Sequence, residues 1–304
     1  MNKNWISKFA GVYVAMYSAY DEQGNVDSDR VRRLARHYVG TGVKGLYVGG
    51  SSGEGMLQTE AERRQVLEAV MAEVKGELTV IVHVGANATR ESEALCRHAE
   101  EVGADAVSAV PSIYYRLSER AVETHWQRMI DSTNLPFIIY NIPQTTGFSL
   151  TPALLGRMAR QERVIGVKMS GESTFELQQF KATGGENFLV FNGPDEQYLA
   201  GRIMGADGGI GGTYGVMPEL FVKLDRLFMQ GELAEAQALQ FKINGIIKRL
   251  LGYPSLYGAC KHMLGLRGVE TGSPRMPLLP IEPEHAESLA ALNRDILDLI
   301  AAGK

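Results

Sequence analysis

The sequence predicts an α/β chain built as a (β/α)₈ TIM barrel with a C-terminal helical extension. Three observations predict it. Eight short β-branched or aromatic runs recur at roughly even spacing. Each is followed by a stretch of helical period. After about residue 230 only helical patterns remain. Strand then helix, eight times over, calls for a parallel sheet closed on itself. An open doubly wound sheet competes with it, but that fold usually has five or six strands.

The eight runs are 11–16, 45–48, 78–84, 106–110, 137–140, 164–169, 188–191 and 208–212. Between them lie helix signals. Thr59-Glu60-Ala61-Glu62 has the form of a capping box. Thr151-Pro152 places a cap before a proline suited to the first helical position. Residues 26–39 put Val31, Leu34, Ala35 and Tyr38 on one face and charges on the other. The tail reads as helices 233–251, 255–264 and 282–302, with a Pro-rich loop at 272–283. The predicted organisation is a catalytic barrel over 1–230 and an extension over 231–304 packed on it.

Composition narrows the function. The 304 residues carry 31 Lys+Arg against 35 Asp+Glu, a formal charge of −4, and 45% are hydrophobic. A chain of this size buries a large core without staples. Two cysteines, Cys96 and Cys260, match no metal spacing and point to a reducing compartment, the cytoplasm. The acidic balance gives no footprint for nucleic acid. No apolar run reaches the roughly 18–20 residues of a membrane span. Lys3 and Lys8 before the apolar stretch 9–17 faintly echo a secretory signal. The stretch is Tyr-rich and no cleavage site follows, so a strand explains it better.

Active sites of such barrels sit at the C-terminal ends of the strands, and side chains alternate along each strand. In 164–169, Ile165, Val167 and Met169 form an outward apolar set, so Gly166 and Lys168 face inward. Burial there favours a neutral amine, which attacks carbonyl carbon. A snorkelling or ion-paired lysine is the alternative. In 137–140 the same alternation turns Tyr140 inward, ending its strand as Lys168 ends the next. A phenol beside an amine can pass a proton to a forming carbinolamine. A core tyrosine bonded to backbone is the alternative.

Gly49-Gly50-Ser51-Ser52-Gly53-Glu54-Gly55 follows the second run. A glycine-rich turn before a helix exposes N–H groups to an anion, and two hydroxyls add donors for a carboxylate. It lacks the ending of a phosphate-binding loop, and a plain flexible turn remains open. His83 reads as a hydrogen-bonded core residue. The six histidines show no paired metal spacing. Asp195 and Glu196 follow the seventh run, suited to polyol contacts or to starting a helix. Tyr114 and Tyr115 follow the fourth, where surface or subunit packing is the plainer reading.

Five ordered motifs carry a resemblance: Gly-Gly-Ser-Ser-Gly-Glu at 49–54, Tyr-Asn-Ile-Pro at 140–143, Gly-Val-Lys at 166–168, Asn-Gly-Pro-Asp-Glu at 192–196 and Gly-Ala-Asp-Gly-Gly-Ile-Gly-Gly-Thr-Tyr at 205–214. With them the chain resembles the N-acetylneuraminate lyase and dihydrodipicolinate synthase family of pyruvate-dependent class I aldolases, over about residues 8–300. The resemblance implies a barrel, usually a homotetramer, with no metal or organic cofactor. It implies that Lys168 forms a Schiff base with a 2-keto acid and that Tyr140 shuttles the proton. Ser51 and Ser52 would hold the substrate carboxylate, and Tyr114 would join the proton relay of a neighbouring subunit. Ser170, Gly193, Asp195, Glu196 and Gly212 fall at sugar-contacting positions.

Two positions bear on the substrate. The synthases usually carry Arg five residues after the tyrosine, a bidentate carboxylate clamp; here Thr145 stands there. Many lyases carry Ser where this chain has Gly212. The expected reaction is cleavage of N-acetylneuraminate to N-acetylmannosamine and pyruvate. The alternatives are cleavage of a shorter 2-keto-3-deoxy sugar acid, the synthase reaction, or a non-enzymatic sensor of such acids.

Overall fold

The computed structural model describes residues 5–302; Lys3 lies outside the described residues. Eight strands follow one another in sequence order around a closed barrel. They are β1 (Gly11–Ala15), β2 (Gly45–Val48), β3 (Thr79–His83), β4 (Ala106–Ala109), β5 (Phe137–Asn141), β6 (Val164–Met169), β7 (Leu189–Asn192) and β8 (Gly208–Gly211). Each predicted run coincides with one strand to within a residue at either end. The Phe9 end of the 9–17 stretch belongs instead to a short helix, Trp5–Phe9.

The chain divides into two compact units. Among the described residues, the first comprises 5–11 and 79–210. Its parallel ladders run β3 to β4, β4 to β5, β5 to β6, β6 to β7 and β7 to β8. Two aspartates finish the ladders at their entering ends. Asp105, ahead of β4, accepts the Val80 N–H at 3.0 Å. Asp207, ahead of β8, accepts the Val190 N–H at 2.8 Å and holds Lys181 Nζ at 2.9 Å. An N–H near the entering end of a strand still needs an acceptor, and a short carboxylate supplies one. The Thr151 hydroxyl caps helix Pro152–Met158 by accepting the Leu154 N–H at 3.1 Å, with Pro152 in the first turn.

Among the described residues, the second unit comprises 12–78 and 211–302. Here β1 pairs with β2, Tyr13 opposite Gly45. Asp27 caps helix Ser28–Tyr38, and Val31, Leu34, Ala35 and Tyr38 form its buried face as their spacing predicts. The capping box at helix Glu60–Val74 is present in both directions: Thr59 N–H donates to Glu62 Oε2 at 2.8 Å, and Glu62 N–H donates to the Thr59 hydroxyl at 3.3 Å. Three tail helices follow helix Pro218–Gln230: Leu233–Leu251, Leu256–Leu266 and Ala286–Ala301. The last begins later than its pattern, because Pro283–His285 forms a 3₁₀ turn first. The tail is tied to the unit's early residues. Thr271 O accepts the Tyr20 N–H at 3.0 Å, and Arg275 reaches Glu62 through two short contacts, 2.6 and 2.9 Å.

Candidate functional site

Lys168 and Tyr140 are direct register partners on β6 and β5. Both are buried, at 5% and 3% exposure. Period-two alternation brings this about: Ile139 and Val167 pair on one face, Tyr140 and Lys168 on the other. Lys168 Nζ lies 4.1 Å from the centre of the Tyr140 ring. The amine therefore rests against the aromatic face, a cation–π arrangement. His83 on β3 meets the same ring edge-on, with centroids 6.0 Å apart at 89°. Its Nε2 accepts the Val110 N–H at 3.3 Å. It is thus a bonded core histidine, as the sequence reading expects, and it also flanks Tyr140.

Beyond β6 the rim is cross-linked. Ser170 N–H donates to Asn141 O at 2.8 Å, and Gly193 N–H donates to Met169 O at 2.7 Å. Asn141 also accepts the Leu150 N–H at 3.1 Å on its side-chain oxygen. A Cβ at Gly193 would fall 2.1 Å from the Ser170 hydroxyl. Position 193 is therefore a close approach that only glycine allows, and it locks Ser170 beside the lysine strand. Asp195 is buried and Glu196 exposed, in the 3₁₀ turn Asp195–Gln197 that follows β7. Thr145 sits exposed in the short helix Pro143–Thr146, its hydroxyl donating to Ile142 O at 3.3 Å. Tyr114 is 89% exposed on a left-handed backbone, φ 81°. Its ring meets that of Tyr115 edge-on at 5.2 Å.

In the second unit the glycine-rich turn is closed by its own backbone. Glu54 N–H donates to Ser51 O at 3.1 Å, and Gly55 N–H donates to Gly50 O at 3.2 Å. Gly53 O accepts from the Ser18 hydroxyl at 2.6 Å and from Gln58 Nε2 at 3.2 Å. Among the described residues, the N–H groups of Ser51, Ser52 and Gly53 donate to no backbone carbonyl. A turn with its Gly50, Ser51 and Gly53 carbonyls occupied and successive N–H groups uncommitted is a concavity suited to an anion. Ser52 is buried and Ser51 exposed. The Tyr17 hydroxyl donates to Gly212 O at 2.6 Å, and a Cβ at Gly212 would stand 2.7 Å from the Ser52 hydroxyl.

Sequence reasoning assigned no role to four residues here. Glu54 lies within the 49–54 motif, and its buried carboxylate pairs with Lys261 Nζ at 2.6 Å. Its other oxygen accepts the Arg275 N–H at 2.6 Å. Lys261 left one signal, a lone charge on the buried face of helix Leu256–Leu266. Arg275 and Tyr17 left none.

Among the described residues no group of three His, Cys, Asp or Glu is placed to hold a metal ion. None of the helices described is long and apolar enough to cross a membrane.

Fold and site together define a (β/α)₈-barrel enzyme. The dihydrodipicolinate synthetase family model matches residues 8–295, and the chain belongs to that family. It is 42% identical over 296 residues to an N-acetylneuraminate lyase of Mediterraneibacter gnavus, covering 96% of this chain and 94% of that one. The catalytic lysine mutant of the sialic acid aldolase from Ruminococcus gnavus superimposes with a TM-score of 0.94 at 42% identity, covering 96% of this chain and 97% of that one. CdNal from Clostridium difficile, solved in complex with mannosamine, gives a TM-score of 0.92 at 31% identity over 95% and 99% of the two chains.

Proposed function

We propose that this protein is a class I aldolase that cleaves N-acetylneuraminate to N-acetylmannosamine and pyruvate through a Schiff base on Lys168. The observation that carries the proposal is the buried Lys168 Nζ held 4.1 Å from the Tyr140 ring centre. The N-acetylneuraminate lyase of Mediterraneibacter gnavus, 42% identical over nearly the whole chain, supports the choice of substrate.

In this reading the Ser51-Ser52 turn receives the carboxylate of the open-chain sugar acid. Lys168 Nζ adds to the C2 carbonyl carbon. Tyr140 gives its phenolic proton to the carbinolamine hydroxyl, which leaves as water, and a protonated imine results. The C3–C4 bond then breaks, and its electron pair flows into the imine to give an enamine. The C4 hydroxyl loses its proton to the Tyr140 phenolate and becomes the aldehyde of N-acetylmannosamine. Tyr140 returns that proton to C3, and water hydrolyses the protonated imine to pyruvate and the free lysine, the released proton going back to the Tyr140 phenolate. The same reading assigns contacts with the sugar chain to Ser170, Gly193, Asp195, Glu196 and Gly212.

The absence of an arginine at position 145 supports a sugar acid over a second carboxylate-bearing substrate. The exposed Tyr114–Tyr115 ring pair supports assembly with a neighbouring subunit, and we read the working form as a cytoplasmic homotetramer. The barrel over 1–230 with its extension over 231–304 is the unit we assign to catalysis. Incubation with N-acetylneuraminate, followed by pyruvate release, tests the reading. Faster release from a shorter 2-keto-3-deoxy sugar acid would instead assign that substrate.

A further inference from the structure

The glycine-rich turn is held from beneath by a buried ionic assembly that the chemistry above does not use. Glu54 adopts φ 55° and ψ 26°, left-handed values that a side chain of its size rarely takes. Such a conformation persists where its surroundings over-determine it. Here they do. One carboxylate oxygen lies 2.6 Å from Lys261 Nζ, with both side chains at most 1% exposed. The other accepts the Arg275 N–H at 2.6 Å. Lys261 Nζ also stands 4.6 Å above the Tyr20 ring and donates to Ser273 O at 3.4 Å. The Arg275 guanidinium stacks on the same ring at 4.6 Å. The Tyr20 hydroxyl accepts from Gln58 Nε2 at 2.8 Å, and that amide also reaches Gly53 O.

Burial pushes the Lys261 ammonium below the usual lysine range, and the Glu54 carboxylate pulls it back. A buried charge of this kind is tolerable only while its partner stays in place. The tie is therefore stiff, and it ends on the residue whose N–H closes the turn onto Ser51 O.

We propose that Lys261 is a positioning residue: through Glu54 it fixes the backbone of the 49–55 turn so that the turn can take a substrate carboxylate. This rests on the reading of that turn as the carboxylate site. Lys261 and Glu54 take no part in the bond-making steps of that reading. Their effect falls on carboxylate recognition and not on the amine chemistry at Lys168.

The test uses Glu54→Gln, Lys261→Met and the double variant, each in the full-length protein. Borohydride trapping on Lys168 is titrated with pyruvate and, separately, with methyl pyruvate, the uncharged ester. Each single variant should raise the half-saturating pyruvate concentration about tenfold or more, leaving methyl pyruvate within about twofold. KM for N-acetylneuraminate should rise more than kcat falls. Single variants strand one buried charge and are the ones prone to unfold. The double variant removes both charges, so it should regain thermal stability yet keep the weak pyruvate response. Unchanged pyruvate saturation, or equal losses for acid and ester, would overturn the inference while the catalytic reading stands. A wild-type protein that traps neither ketone overturns the catalytic reading, and this inference with it.

Discussion

Lys168 and Tyr140 occupy partnered positions on adjacent strands, and the amine of one lies against the ring face of the other at 4.1 Å. The contact is with the ring and does not depend on the hydroxyl. Two substitutions should therefore separate binding of the amine from transfer of the proton.

Lys168→Ala removes the nucleophile and leaves the strand ladder intact. Cleavage of N-acetylneuraminate should fall to background, with circular dichroism and the cooperative melt retained. Measurable turnover in this variant would remove Lys168 from the mechanism.

Tyr140→Phe keeps the ring under the amine and deletes the proton carrier. kcat should drop by roughly 10²–10⁴, the usual range for a lost general acid–base group. Trapping of pyruvate on Lys168 should survive at a reduced rate. A kcat equal to wild type would assign the proton to another group.

Most of this pair was legible in the sequence, because strand alternation is local. Ile165, Val167 and Met169 declare one face of β6, and Lys168 is left on the other. The glycine-rich turn at 49–55 was legible as a turn because its motif is contiguous in the chain. The support beneath it was not: Glu54 and Arg275 are 221 residues apart. No periodicity links a motif glutamate to a backbone N–H in the Pro-rich loop. The 3₁₀ turn Pro283–His285 was missed because its residues, Pro-Glu-His, also open a helix well. Asp195 and Glu196 read alike in sequence, and only the structure buries one and exposes the other.

Gly212→Ser tests how tightly the second unit's hydroxyls are packed. A new Cβ would meet the Ser52 hydroxyl at 2.7 Å, so Ser52 must turn from its present rotamer. An off-rotamer side chain costs about 0.5–1.5 kcal/mol. KM for N-acetylneuraminate should rise about two- to tenfold with kcat little changed. A lower KM would mean that the added hydroxyl binds the sugar and outweighs the crowding.

Thr145→Arg introduces a guanidinium on an exposed position of the helix Pro143–Thr146. A cation there favours a second carboxylate over a neutral polyol. kcat/KM for N-acetylneuraminate should fall, and an unaltered value would detach position 145 from substrate choice.

Acid stability should depend on the Glu62–Arg275 pair. The Arg275 guanidinium, hydrogen-bonded to Glu62, lowers that carboxyl from 4.5 to about 2. A carboxyl depressed in the folded state stabilises above its unfolded value and loses that contribution as pH falls toward its folded value. Wild type should thus melt above Arg275→Met near neutral pH, and the gap should narrow between pH 4.5 and about 2. Arg275→Met keeps the backbone N–H that binds Glu54. A gap constant across that window would show that the pair's protonation does not govern acid unfolding.

Among the described residues two lysines are buried, Lys168 on β6 and Lys261 in the tail, and Lys261 is held against the Glu54 carboxylate at 2.6 Å. Reduction with borohydride in the presence of pyruvate, followed by peptide mass mapping, distinguishes them directly. One reduced pyruvate unit on the peptide that carries Lys168, and none on the peptide that carries Lys261, is the predicted result. An unmodified Lys168, or the adduct on Lys261, would contradict the Schiff-base mechanism.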